Sequence, residues 1–183
     1  MACACGLLSL TGCYNTGEPR ENVLKIYNWA DYIDEDVLAE FPEWYKEQTG
    51  EDIRIVYQTF DINEIMLTKI ERGHEDFDVV CPSEYIIERM LKKNLLLPID
   101  TVFGESPYMR EQLDKLSQPG RRASDYAIGY MWGTAGLLYN TDHVPAEDAK
   151  TWASLWNLKY KNKILMKESY RDAYGTALIY ANS

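Results

Sequence analysis

The chain has 183 residues, 46% hydrophobic and 26% charged, with a formal net charge of −10 at pH 7. This length allows one domain or two modest lobes, and the composition is that of a soluble globular protein. The negative charge repels nucleic-acid phosphates and argues against nucleic acid as a partner, whereas a cationic ligand suits it. Fourteen Tyr and five Trp are more than a plain α/β core requires, and their polar edges suit a binding surface. The four cysteines form no CxxC pair and no Cys/His cluster. His74 and His143 lie far apart, so no metal site is expected.

Residues 1–12 carry no charge. Gly6-Leu7-Leu8-Ser9-Leu10 is an apolar run too short to span a bilayer. It ends in Leu10-Thr11-Gly12-Cys13, which resembles the lipobox of bacterial lipoproteins. Residues 1–12 are therefore expected to be a lipoprotein signal remnant, with Cys13 as the lipidation site. Residues 13–22 are expected to be a polar linker with turn composition. A lipid anchor would be the only link to a membrane. Cleavage would leave Cys13 and Cys81 as the only thiols, so no disulfide is expected.

From Val23 the chain alternates short apolar runs with helical patterns. Residues 24–29 read as a strand. Residues 35–48 place Val37, Leu38, Phe41, Trp44, Tyr45 and Gln48 at helical spacing, with Gly50 beyond the end. Pro42 inside this pattern predicts a kink or two short helices. Residues 53–57 read as a second strand. Asp61 is expected to cap a helix whose face carries Ile62, Ile65, Met66, Lys69 and Ile70, with Glu64 as a cap partner. Residues 77–81 read as the third strand, with Asp78 structural. Ser83 is a candidate cap for a helix over 84–93 with Ile86, Ile87, Met90 and Leu91 on its apolar face. This alternation implies a parallel-rich sheet with helices on both faces.

Residues 99–125 are polar and weakly periodic, short helix or loop. Strands are expected at 126–131, 136–140 and 163–166, a short helix at 151–156, and a helix over 171–182. Trp152 and Trp156 read as one core-facing stripe. The final helix shows no Gly, Pro or basic stop signal, so the chain is expected to end within an element as a fragment.

Open α/β sheets bind ligands at the carboxyl ends of their strands. That rule selects Asn28, Trp29, Asp31 and Tyr32, then Thr59, Phe60 and Asp61, then Pro82, Ser83, Glu84 and Tyr85. After the expected strand at 163–166 come Glu168, Ser169, Tyr170 and Asp172, with Arg171 the only cation. Aromatic rings, acids and hydroxyls suit an aliphatic polycation. Aromatic faces attract ammonium groups by ~0.5–2 kcal/mol each and pack methylenes. A carboxylate about 4 Å away gains roughly 4 kcal/mol at an effective dielectric near 20, before desolvation. No nucleophile elbow, Ser/His/Asp set or phosphate loop is present, so neither an enzyme nor a cofactor is expected.

Tyr27-Asn28-Trp29-Ala30-Asp31-Tyr32-Ile33 resembles the first strand end of the spermidine/putrescine-binding proteins of bacterial ABC importers. Phe77 to Tyr85, Tyr130-Met131-Trp132-Gly133-Thr134, Trp152 to Trp156 and Lys163 to Met166 follow in the same order. The resemblance implies an α/β, two-lobed periplasmic-binding-protein-like fold of type II. Lobe 1 spans 23–131, and 132–183 begin a second lobe that is truncated. It implies that Trp29 and Tyr32 stack on the polyamine, that Ser83 and Tyr85 line the same wall, and that Asp172 pairs with an ammonium. Asp31 and Ser169 complete the expected ligand set. The spermidine carrier has an aspartate three residues before that acid, where this chain has Ser169 beside Glu168. Preference between spermidine and putrescine therefore stays open. Expected partners are a polyamine and ABC-transporter permease subunits, at a lipid-anchored location in the periplasm or at the outer face of the cytoplasmic membrane. Further ligands are implied beyond residue 183, so weak or absent amine binding is expected of residues 13–183 alone. The rivals are a carrier of the same fold for another small cation such as thiamine, or an enzyme reusing the scaffold.

Overall fold

The computed structural model describes residues 19–73, 75–99 and 107–182. The lipidation candidate Cys13 and the histidine His74 lie outside the described residues. Two compact units divide between Ile128 and Gly129. No helix among the described residues is long and apolar enough to cross a membrane.

The first unit is built on three parallel strands in the order β2-β1-β3. β1 (Val23–Trp29) lies at the centre and is the most buried strand. β2 (Arg54–Phe60) pairs with it along its whole length, from Val23 opposite Arg54 to Trp29 opposite Phe60. The sequence pattern stopped at Tyr57, because Gln58 and Thr59 are polar. β3 (Val79–Val80) is only two residues long. Backbone bonding nevertheless continues on both sides of it. Asp78 N–H donates to the Lys25 carbonyl and Cys81 N–H to the Tyr27 carbonyl, both at 3.0 Å. At the amino end a side chain replaces the ladder, where Lys25 N–H donates to Asp78 Oδ2 at 2.7 Å. Arg20 reinforces this end through Nε to Asp76 Oδ2 at 2.6 Å and through Nη2 to Asp78. Asp78 is structural, as its place before the strand implied.

Three helices cover this sheet. α1 (Glu35–Thr49) starts at Asp34, whose side chain accepts from Asp36 N–H, and ends at Gly50 in the left-handed region (φ 78°). Glycine carries no Cβ penalty there. α1 is one element with Pro42 inside it, so the expected division into two helices does not occur. It buries no residue, and the carbonyl that Pro42 leaves unmatched is therefore not stranded in a core. α2 (Asn63–Gly73) opens two residues after Asp61. Met66 N–H donates to the Ile62 carbonyl, so Ile62, not Asp61, holds the opening position. α3 (Glu84–Lys92) buries Ile86, Met90 and Leu91 on the face that the 3.6-residue period marks.

Tyr27, Phe60, Met66, Leu67, Ile86 and Met90 form the main core. Tyr27 stacks on Phe77 at 4.6 Å and meets Phe60 edge-on at 5.0 Å. Each fully buried aliphatic side chain contributes about 1.5–3 kcal/mol relative to exposure. Leu91, Leu113 and Ala123 form a second cluster, which joins α3 to α4 (Pro107–Asp114) and a 3-10 turn at Ala123–Asp125.

From the end of the first unit onward, the strands expected at 126–131, 136–140 and 163–166 do not form. A strand needs a neighbour for its N–H and C=O groups. Among the described residues the paired strands are β1, β2 and β3. Leu138 and Leu165 stand essentially fully exposed. Local structure does form. Three short 3-10 helices run over Ala146–Ala149, Trp152–Trp156 and Leu158–Tyr160. Asp148 ties them together by accepting from Tyr160 Oη at 2.6 Å and Lys159 Nζ at 3.0 Å, which holds its carboxyl below the usual range. Trp156 is exposed rather than core-facing, and stacks on Tyr180 at 4.3 Å. At the carboxyl end of α5 (Tyr170–Ala181), Asn182 donates to the Leu178 carbonyl from both its backbone N–H and its side-chain amide.

Candidate ligand-binding site

The sheet order creates a switch point. From β1 the chain crosses to β2 on one side, and β3 then returns to the other side of β1. Ligands of open α/β sheets bind outside the carboxyl ends at such a reversal. At this edge β1 delivers Trp29, Asp31 and Tyr32, and β3 delivers Ser83 and Tyr85. Five of the seven site residues expected from sequence therefore share one edge of one sheet.

Trp29 is half-buried and anchored on three sides. Its ring packs on Phe60 at 4.6 Å and lies 5.9 Å from the Tyr32 ring. Its N–H donates to Asn28 Oδ1 at 2.8 Å, and its carbonyl accepts from Tyr57 Oη at 3.2 Å. Burial raises the Tyr57 phenol above its usual pKa, so it stays a proton donor in this bond. Tyr32 is 40% exposed, and Asp31 is exposed. The pair therefore offers aromatic faces next to an accessible carboxylate, the chemistry that holds an ammonium and its methylenes.

Ser83 occupies the cap position of α3, but its side chain makes no cap bond. Its hydroxyl turns instead to Asn63, a buried residue at the first position of α2. Asn63 Nδ2 donates to Ser83 Oγ at 2.9 Å and to Tyr85 Oη at 3.0 Å. Asn63 Oδ1 accepts from Ser83 N–H at 3.1 Å. Tyr85 Oη donates to Glu64 Oε1 at 2.9 Å. Glu64 is thus a partner of Tyr85, a role that the cap reading missed. Asn63 and Tyr57 also escaped the sequence reading. The signal available for Asn63 was an amide at a helix start just after a strand end, where a buried polar group must find partners.

Ser169 and Asp172 belong to the second unit and open α5. Ser169 Oγ accepts from Asp172 N–H at 3.2 Å, an ordinary N-cap. Asp172 is exposed and pairs with Lys167 at 3.0 Å. Cys81 lies partly buried beyond β3, and burial pushes its thiol up, which makes it a poor nucleophile. Among the described residues no group of three or more His, Cys, Asp or Glu side chains converges as a metal site.

A switch-point edge with aromatic rings and hydroxyls is where open α/β sheets take ligands. The profile of the bacterial extracellular solute-binding protein family matches residues 42–182. This chain belongs to that family, and it has the α/β periplasmic-binding-protein-like fold. It is 30% identical over 158 residues to the spermidine/putrescine-binding periplasmic protein of Escherichia coli K12, covering 86% of this chain and 43% of that protein. It is 37% identical over 127 residues to the putrescine-binding periplasmic protein PotF of the same organism, covering 69% and 33%. Among solved structures, the spermidine/putrescine ABC transporter substrate-binding protein PotD of Streptococcus pneumoniae aligns with a TM-score of 0.58 and 38% identity. That alignment covers 76% of this chain and 41% of PotD. The chain thus spans less than half the length of these relatives.

Proposed function

We propose that this chain is part of an extracytoplasmic solute-binding protein that captures polyamines, spermidine or putrescine, for an ABC importer. On this reading it is a carrier and not an enzyme. It works in the periplasm or at the outer face of the cytoplasmic membrane, held by lipid on Cys13, and delivers its ligand to permease subunits. The observation that carries the reading is the Trp29–Tyr32 pair beside Asp31, Ser83 and Tyr85 at the switch point. Rings take the methylenes and one ammonium; the carboxylate and hydroxyls take N–H donors. The named polyamine carriers among the relatives support it. Ser169 and Asp172 are proposed as further amine ligands on the second lobe, and 23–131 and 132–183 as the two lobes.

Equilibrium dialysis with labelled spermidine and putrescine tests this. The full-length protein retains both amines, whereas residues 13–183 alone retain them weakly or not at all, so the substitutions are made in the full-length protein. Trp29→Ala weakens retention about fivefold or more, from at least ~1 kcal/mol of cation–π and methylene contact. Asp172→Asn weakens it further, because truncating the charge partner of a desolvated ammonium costs on the order of 2–5 kcal/mol. Ser169→Asp raises the preference for spermidine over putrescine. Equal retention by the parent and Trp29→Ala contradicts the site. Equal retention by Asp172→Asn reduces Asp172 to a first-turn residue of α5.

A further inference from the structure

Two residues outside the expected ligand set, Asn63 and Glu64, bond the hydroxyls at this edge. A buried asparagine amide can be placed either way round, but here the partners fix it. Asn63 Oδ1 faces the Ser83 backbone N–H, which can only donate. Nδ2 is therefore the atom that faces the two hydroxyls, and it fills a lone pair on each of Ser83 Oγ and Tyr85 Oη. A phenol has one proton to give, and Tyr85 gives it to Glu64 Oε1. An ionised carboxylate can only accept, so this direction is set as well. What the Tyr85 oxygen can offer a ligand is acceptance, not donation.

We infer that Asn63 and Glu64 are positioning residues that hold Tyr85 as a hydrogen-bond acceptor toward ligand, which makes this edge select N–H donors such as ammonium groups and reject carboxylates. The inference deepens the polyamine reading and rests on it. Specificity is a difference of affinities, and it arises here from both sides. An ammonium finds an acceptor oxygen backed by a carboxylate. An anionic ligand finds no donor at Tyr85 and meets the Glu64 charge. Neither residue has to touch the ligand, since each acts through the Tyr85 hydroxyl.

The test uses the full chain with tyrosines carbon-labelled where the ring bears the hydroxyl. The Tyr85 signal is assigned with Tyr85→Phe. Putrescine and succinate, a four-carbon diamine and diacid, are titrated in parallel. Glu64→Gln keeps the shape but releases the direction, because an amide both donates and accepts. It moves the Tyr85 signal before any ligand is added, and it lowers the preference for putrescine over succinate on the order of tenfold. Asn63→Asp keeps an oxygen for the Ser83 N–H, removes both donors and moves the same signal. A purely structural role leaves the preference unchanged in a variant with parental circular dichroism. An unmoved Tyr85 signal in both variants, or an unchanged preference in Glu64→Gln, overturns the inference. A parent that binds neither compound, with a Tyr85 signal that still responds, overturns the polyamine reading and leaves the hydroxyl direction standing.

Discussion

The two units differ in what holds them. In the first, Met66, Ile86, Met90 and Leu91 are almost completely buried, and a parallel sheet runs through the middle. In the second, among the described residues, no hydrophobic side chain is fully buried. That unit is shaped by turns, caps and one helix. The contrast separates two kinds of information in a chain. Caps and turns close over three to six residues and form wherever their residues stand. Strands pay backbone entropy for a partner distant in sequence, and without one the same apolar residues stay unpaired and exposed.

Core truncation probes the contrast most strongly. Ile86→Ala or Met66→Ala removes a fully buried side chain and costs about 2–5 kcal/mol. Leu165→Ala removes an exposed one and stays within about 0.5 kcal/mol. Urea unfolding followed by circular dichroism measures both. Equal losses at the two sites break the distinction between the units.

A single buried amide is a smaller lever. Asn28→Leu leaves the Trp29 backbone N–H without its acceptor, at a cost of about 1–3 kcal/mol. Urea midpoints should move accordingly, and hydrogen exchange at Trp29 should quicken. Asp34→Ala removes the cap of α1 and costs about 1 kcal/mol. Because α1 buries nothing, the loss should be confined to that helix, which per-residue exchange rates can verify.

The smallest effect lies at the amino end of the sheet. Lys25 and Arg20 hold the Asp76 carboxyl well below the usual carboxylate range. A carboxyl depressed in the folded state contributes stability that is fully present above its unfolded pKa, about 3.9. That contribution is lost as pH falls further toward the depressed folded value. The pairs are largely exposed, so screening limits them to under about 1 kcal/mol. Arg20→Ala should flatten the acid limb of the stability profile slightly, and high salt should erase the difference.

Much of the first unit was legible because its signals are periodic. Ile86, Ile87, Met90 and Leu91 announced α3, and Gly50 announced the end of α1. The strand-end rule selected Trp29, Asp31, Tyr32, Ser83 and Tyr85 without knowledge of the sheet order, and the order β2-β1-β3 puts them at one edge. The bonds from Asn63 to Ser83 and from Glu64 to Tyr85 were not legible, since they join positions about twenty residues apart through a fold. Asp61 misled because an acid before an apolar run fits a cap, yet the helix opened one residue later than that pattern required. The strands at 126–131, 136–140 and 163–166 misled because β-propensity describes a surface that fits a neighbour, and pairing decides whether one is there.

The central claim is that amines bind at the carboxyl edge of this sheet. The most direct measurement is an amide chemical-shift map of the chain during titration with spermidine, which reads weak binding residue by residue. The account predicts saturable shifts at Trp29, Asp31, Tyr32, Ser83 and Tyr85, with Arg20, Lys25 and Asp76 at the opposite end of the strands unmoved. Shifts scattered over the acidic surface and abolished by moderate salt, with Trp29 and Tyr85 silent, would show a polycation attracted to a net charge of −10 and contradict the site.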